Sequence, residues 1–209
     1  MMNKYAFIGA IAMSAVSAST YAGGILPSFM ERAENSPVEF QLRAGYSSGG
    51  DKIGPAISDA YGQSQISAGS GFTVGMGVNY DLKTTYPMFL TANVHVIADH
   101  ATSKESDVTF TRIPMDFMVG SQYRKFRFAG GITHHVNPTI QYRWDNDDEA
   151  FDKEESTSKS YGAATGQVVE ASYLVKKVDL NLRYTNIEYD FAGVKVDGSG
   201  MAISVMYRF

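Results

Sequence analysis

Nine charged residues recur at alternate positions inside otherwise apolar stretches: Glu39, Arg43, Arg112, Asp116, Arg127, Glu170, Asp179, Arg183 and Arg208. In an extended chain successive side chains point to opposite faces, so each of these charges stands opposite an apolar stripe. If the polar faces enclose one space, a cluster of mixed sign must interlock as ion pairs, because an unpaired buried charge is strongly destabilising. Two chemistries fit such a set: a polar plug, or a gated path for ions. Strand register decides the individual pairings.

The four histidines are the remaining candidates. His134 and His135 are neighbours, which on a strand sends them to opposite faces, so they cannot share a metal. His95 has inward parity, and His100 follows Asp99 in a polar connection. The acidic run of residues 145–155 could hold a divalent cation through several carboxylates, but it lacks Asp-x-Asp-x-Asp-Gly spacing and reads as a solvated loop. Lys104, Lys153, Lys159 and Lys195 are candidates for contact with lipid phosphates. With no Cys, disulfides, thiolate catalysis and Cys-ligated zinc are excluded. A net charge of -4 argues against nucleic acid as a partner. No catalytic residue, cofactor or metal is assigned.

The elements that carry these residues have the period of two expected of strands. Residues 38–48 set Val38, Phe40, Leu42, Ala44 and Tyr46 against Glu39, Gln41, Arg43, Gly45 and Ser47. Residues 71–82 set Phe72, Val74, Met76, Val78 and Tyr80 against Thr73, Gly75, Gly77, Asn79 and Asp81, so the polar side must be crowded. Further strands are expected at 88–98, 108–123, 126–144, 160–175, 178–191 and 198–209. Pro114 falls on a polar face, where a bulge or weakened pairing is expected. The 126–144 segment reads with one parity from Phe126 through Ile132, Val136 and Ile140 to Trp144. It exceeds a spanning length of ~9–11 residues, so its far end should project. In 178–191 the apolar parity changes to Ile187, Tyr189 and Phe191, the mark of a bulge or a departure from the wall.

Eight strands result, and the connections between them alternate. Long polar ones (49–70, 99–107, 145–159, 192–197) exchange with short ones (83–87, 124–125, 176–177). Aromatics fall at both ends of the strands: Tyr80, Tyr86, Phe89, Tyr123, Phe126, Tyr173 and Phe209 at one, and Tyr46, Phe72, Phe110, Tyr142, Trp144 and Tyr161 at the other. The pattern predicts an all-β protein, an eight-stranded antiparallel up-and-down transmembrane barrel with two aromatic belts. Eight strands leave an interior just filled by side chains.

Ahead of the barrel, residues 1–22 combine a basic Lys4, an apolar core and small residues before Gly23, the pattern of a secretory signal peptide. Residues 23–37 read as a periplasmic lead-in, and 38–209 as the barrel. The segment RIPMDFMVGSQYRKFRFAGGI, residues 112–132, and the terminal YRF, with Tyr207 and Phe209 on the apolar face, carry a resemblance. They are similar to the small outer-membrane β-barrel superfamily that includes the OmpA transmembrane domain, OmpX and opacity-type porin-like proteins. The resemblance implies residence in the outer membrane of a Gram-negative cell, with lipopolysaccharide and other outer-membrane lipids as surroundings. It also implies that Tyr207 and Phe209 act as the signal read by the barrel-insertion machinery. Lipid A deacylases and palmitoyltransferases of this barrel class pair a His with a Ser, and no His-x-Ser dyad occurs here. The expected function is therefore non-enzymatic, structural or surface-interactive, with a lumen plugged by its charges and a monomer as the favoured state. The alternatives are a narrow channel for small or hydrophobic solutes and a lipid A modifying enzyme.

Overall fold

The computed structural model describes residues 36–59, 62–82, 84–102, 106–144 and 155–209. The expected signal peptide 1–22, most of the expected lead-in, the acidic run 145–154, Lys104 and Lys153 lie outside the described residues. Thirteen strands follow in order: β1 (Val38–Ser48), β2 (Lys52–Asp59), β3 (Gly62–Ser67), β4 (Gly71–Leu82), β5 (Met88–Thr102), β6 (Ser106–Tyr123), β7 (Phe126–Trp144), β8 (Glu155–Ser160), β9 (Ala164–Val175), β10 (Val178–Asn186), β11 (Glu188–Phe191), β12 (Val194–Asp197) and β13 (Gly200–Arg208).

Eight of them close into one antiparallel barrel in the cyclic order β6-β5-β4-β1-β13-β10-β9-β7, with β7 pairing back onto β6. The two-residue turns at Arg124-Lys125 and Lys176-Lys177 each begin with a residue at positive φ, 55° for Arg124 and 61° for Lys176, which matches the twist of the strands they join. Val74, Met76, Phe117, Phe128, Ile132, Leu180 and Ile203 are all more than half or nearly half exposed, and all point outward. Water would not tolerate so continuous an apolar band, whereas hydrocarbon matches it. Inside, the alternate positions are polar and tightly spaced: a Cβ added at Gly77 would collide with the Asn93 side chain.

The long-connection end departs from the sequence expectation. Residues 49–70 do not form an open polar loop; β2 and β3 pair as a hairpin, and Ile53, Ile66 and Ala68 are buried. The third and fourth strands extend into the predicted 99–107 loop, with Thr102 opposite Asp107. The sixth is divided: β8 pairs with the far end of β7, and β9 starts only at Ala164. The predicted loop at 192–197 contains β12, which pairs with β11 through a turn with Ala192 and Gly193 at φ 59° and 89°.

These pieces build an apolar lid above the barrel. Phe110, Ile140, Ala164, Ile187, Tyr189 and Val196 pack with Ile53, Ile66 and Ala68, and Tyr142, Tyr161 and Phe191 lean against them. Backbone bonds tie the lid together, including Asp51 N–H to Asp197 O at 2.7 Å and Tyr161 N–H to Pro138 O at 2.8 Å. Two sequence expectations fail for this reason. β7 does not keep one parity: Asn137 adopts φ 47°, a register shift opens opposite Thr111–Ile113, and Pro138 and Ile140 turn inward. That shift lies beside Pro114, which itself pairs with His135. Phe110, Tyr142 and Tyr161 are therefore lid residues and not belt residues, while Phe89 is buried inside the opposite end of the barrel.

The ring of Phe110 meets Tyr189 and Phe191 edge-on at 5.9 and 6.1 Å. Truncating it leaves a cavity at the centre of the lid. Phe110→Ala should lower stability by about 3–5 kcal/mol in urea unfolding of the refolded protein and open the β2–β3 and β11–β12 hairpins to protease; an unchanged midpoint would show that the lid adds nothing to the fold.

Candidate functional site

All nine charged residues singled out in the sequence are buried inside the barrel wall. They arrange in layers along its axis. At the short-turn end, Glu39 accepts from Arg208 Nη1 at 3.0 Å and from Arg127 Nη1 at 3.5 Å, and Arg208 Nη2 also reaches Asp179 at 3.1 Å. The Arg127 guanidinium lies 3.8 Å from the Phe89 ring centre, a cation–π contact that gives the inward Phe89 its role.

Above this lies a layer of amides. Asn79 donates to Gln41 at 3.0 Å, Gln41 donates to Asn93, and Asn181 donates to Ser172 at 2.9 Å and to Glu170 at 3.2 Å. The charged layer at mid-barrel is the tightest. Arg43 grips Glu170 through two bonds of 2.5 and 2.9 Å, and Arg183 grips Asp116 through two of 2.5 and 2.8 Å. Arg183 also reaches Glu170 at 3.2 Å, which links the two pairs, and His95 Nε2 lies 2.9 Å from Asp116. Such forked contacts orient both partners and satisfy most of their polar atoms. Register makes them possible: Arg183 stands directly opposite Glu170, and Asn93 opposite Asp116.

Arg112 is set apart from these layers. It is 2% exposed, it lies beneath the lid with its guanidinium 5.1 Å from the Phe110 ring centre, and its Nη2 donates to the Ser70 carbonyl at 2.9 Å. Beside it His135 Nδ1 is 2.6 Å from the Tyr189 hydroxyl. Among the described residues a small cavity of about 30 Å³ lies between the charged layer and the lid, and another of about 20 Å³ lies among the lower polar residues. Each holds one or two waters at most.

Sequence parity placed the charged residues in the lumen but assigned no part to Gln41, Asn79, Asn93 and Asn181, although their parity is the same. Met206 on β13, apolar but of the inward parity, faces the lumen with Sδ 3.0 Å from Arg43 Nη2. The histidines separate as expected, with His135 buried and His134 facing out, where its Nδ1 is 2.9 Å from Thr165 Oγ1. His100 is exposed, 2.9 Å from Thr109 Oγ1. Among the described residues no group of three His, Asp or Glu is placed to hold a metal. Lys159 lies over the Tyr161 ring and Lys195 pairs with Glu188 at 2.5 Å in the open. Tyr207 and Phe209 face outward and meet edge-on at 4.9 Å.

A closed eight-stranded wall with an apolar outer band and a polar, ion-paired interior defines the class: the fold of the small outer-membrane β-barrels. No family model and no curated protein matches the chain. Among solved structures it is similar to neisserial surface protein A, at 13% identity with a TM-score of 0.48 over 83% of this chain and 98% of the other. It is also similar to Ail of Yersinia pestis, at 13% identity and 0.44 over 82% and 99%, and to the N-terminal barrel domain of Pseudomonas aeruginosa OprF, at 9% and 0.35 over 84% and 100%.

Glu170 holds two guanidiniums, so its neutral isostere should cost more than the loss of one bond. Glu170→Gln is expected to destabilise the folded barrel by about 3–5 kcal/mol, and replacing Arg43 and Glu170 together by Met and Leu by less, since the pair then leaves fewer stranded charges; equal losses would contradict the interlocked layer. A second expectation concerns pH. Tyr189 projects into the lid beyond the apolar band, and burial pushes its phenol up from 10.0 to about 12, with the Arg112 charge opposing. The neutral phenol is thus favoured in the folded state, its contribution is complete below the ordinary tyrosine range, and it is lost as pH rises. Lid stability should fall by up to about 1.4 kcal/mol per pH unit between roughly pH 10 and 12, and the slope should become shallower in Tyr189→Phe.

Proposed function

We propose that this protein is a non-enzymatic barrel of the outer membrane of a Gram-negative cell, with a plugged lumen and a surface built by its lid hairpins. The observation that carries this reading is the mid-barrel layer in which Arg43, Glu170, Arg183, Asp116 and His95 bond across the lumen from five different strands. A hydrated ion passing that layer would have to part at least one forked pair in a medium where each charge is poorly solvated. The lid closes the lumen a second time, at the long-connection end, with apolar side chains that offer a permeating ion nothing.

In the same reading, residues 1–22 direct export, 23–37 remain in the periplasm with the short turns, and the lid faces outward among lipopolysaccharide, with Lys159 and Lys195 near its phosphates. Tyr207 and Phe209 serve recognition by the insertion machinery, and the barrel acts as a monomer. The channel alternative would need the charged layer to reorganise. The lipid A enzyme alternative has two outward His–hydroxyl pairs to draw on, His134 with Thr165 and His100 with Thr109. Among the described residues neither ring has a carboxylate in ion-pair reach, so neither hydroxyl has the oriented base that nucleophilic catalysis uses.

Two measurements test the proposal. In planar bilayers the purified protein should give no steady openings, and single-channel steps in the wild type would reverse the plugged reading. Lipid A from cells with and without expression should have the same mass spectrum; an acyl change that disappears in His134→Ala would assign an enzyme.

A further inference from the structure

Among the described residues the buried charges of the lumen do not cancel. Five guanidiniums, of Arg43, Arg112, Arg127, Arg183 and Arg208, face four carboxylates, of Glu39, Asp116, Glu170 and Asp179. The four carboxylates are engaged by the other four arginines. Arg112 makes no ion pair among the described residues. Its Nη2 is satisfied by the Ser70 carbonyl, while Nε and Nη1 are buried without an acceptor. Asp99, the carboxylate that approaches from β5, is held instead by the Ser67 and His100 backbone N–H groups at 3.0 and 3.1 Å.

Arg112 lines the cavity of about 30 Å³ beneath the lid, and its other charged or imidazole walls are Arg43, Arg183, His95 and His135, interspersed with hydroxyl residues such as Ser47 and Thr73. His135 Nε2 is also buried without a partner. The Tyr189 hydroxyl has its one hydrogen bond to His135 Nδ1. When that hydroxyl donates, the ring proton resides on Nε2, which becomes a further donor. In that tautomer the cavity combines three buried donor nitrogens that have no acceptor among the described residues with a guanidinium that makes no ion pair there. Water would satisfy the donors and leave the charge. A halide-sized anion satisfies both, and the space suits one such ion or about two waters.

We propose that the cavity beneath the lid is a binding site for a monovalent inorganic anion of halide size, held by the Arg112 guanidinium and the His135 Nε2–H. The ion completes the charge balance of the lumen and couples it to the lid, since Tyr189 orients His135 and Phe110 covers Arg112. The inference extends the plugged-lumen reading, but its readout is independent of conductance.

Crystals of the full folded protein grown in sodium bromide give the direct test. An anomalous peak is expected within hydrogen-bond distance of Arg112 and His135 in the wild type. Bromide at the surface alone, with water density or nothing in the cavity, would overturn the proposal. In solution, the thermal unfolding midpoint should rise with bromide concentration at constant ionic strength maintained with isethionate, because a ligand that binds only the folded state stabilises it. Arg112→Met, which keeps the stem and removes the charge, should abolish that rise, and His135→Phe should weaken it. An identical response in Arg112→Met also counts against the site. If Arg112→Met does not fold, the wild-type anomalous map decides alone.

Discussion

Charge inside a closed, lipid-facing wall must be balanced locally, and most of this molecule follows from that constraint. A sheet that closes on itself satisfies its backbone without an edge, and its outer face can be apolar throughout. All polarity is then directed into a lumen just wide enough for side chains. Bare charges there would be intolerable, so guanidiniums and carboxylates meet in forked pairs, Arg43 with Glu170 and Arg183 with Asp116, and the pairs share partners. Small residues such as Gly75 and Gly77 make room for this network by bringing β4 close to His95 and Asn93. The same network that holds the wall together spans the lumen from five strands.

The long-connection end uses the same alternation for a different purpose. Along β10 the inward positions are Asp179, Asn181 and Arg183, and the inward parity continues through Ile187 to Tyr189. What changes is the character of the interior, from ion-paired polar groups to a small apolar core. The apparent parity change in the sequence is thus a change of surroundings along an unbroken alternation. β7 reaches the lid differently, by a bulge at Asn137 that turns Ile140 inward. Arg112 stands where the two regimes meet, with its guanidinium against the Phe110 ring and one carbonyl bond to Ser70.

Strand positions and the inward set of charges were legible because a period of two is written directly in residue order. The short turns were legible too, since two lysines or an Arg-Lys pair between apolar runs leave little choice. The hairpin β2–β3 was not legible: Ile53, Ile66 and Ala68 lie scattered among Gly, Ser and Gln, and their burial depends on partners contributed by β6, β7 and β11. The aromatics misled for a related reason. Phe89 and Phe110 have the inward parity, yet an aromatic near a strand end reads equally well as a belt residue until the interior offers it Arg127 or Tyr189.

By itself the sequence determined the fold class, the apolar outside and the charged inside, because each depends only on which of two faces a residue takes. Tertiary structure alone decided who pairs with whom, that Arg112 stands outside the ion pairs of the described residues, and that the polar connections fold into a lid. Those outcomes depend on register and on contacts between residues as far apart as Arg43 and Glu170, where a shift of one residue would turn every inward group to the lipid.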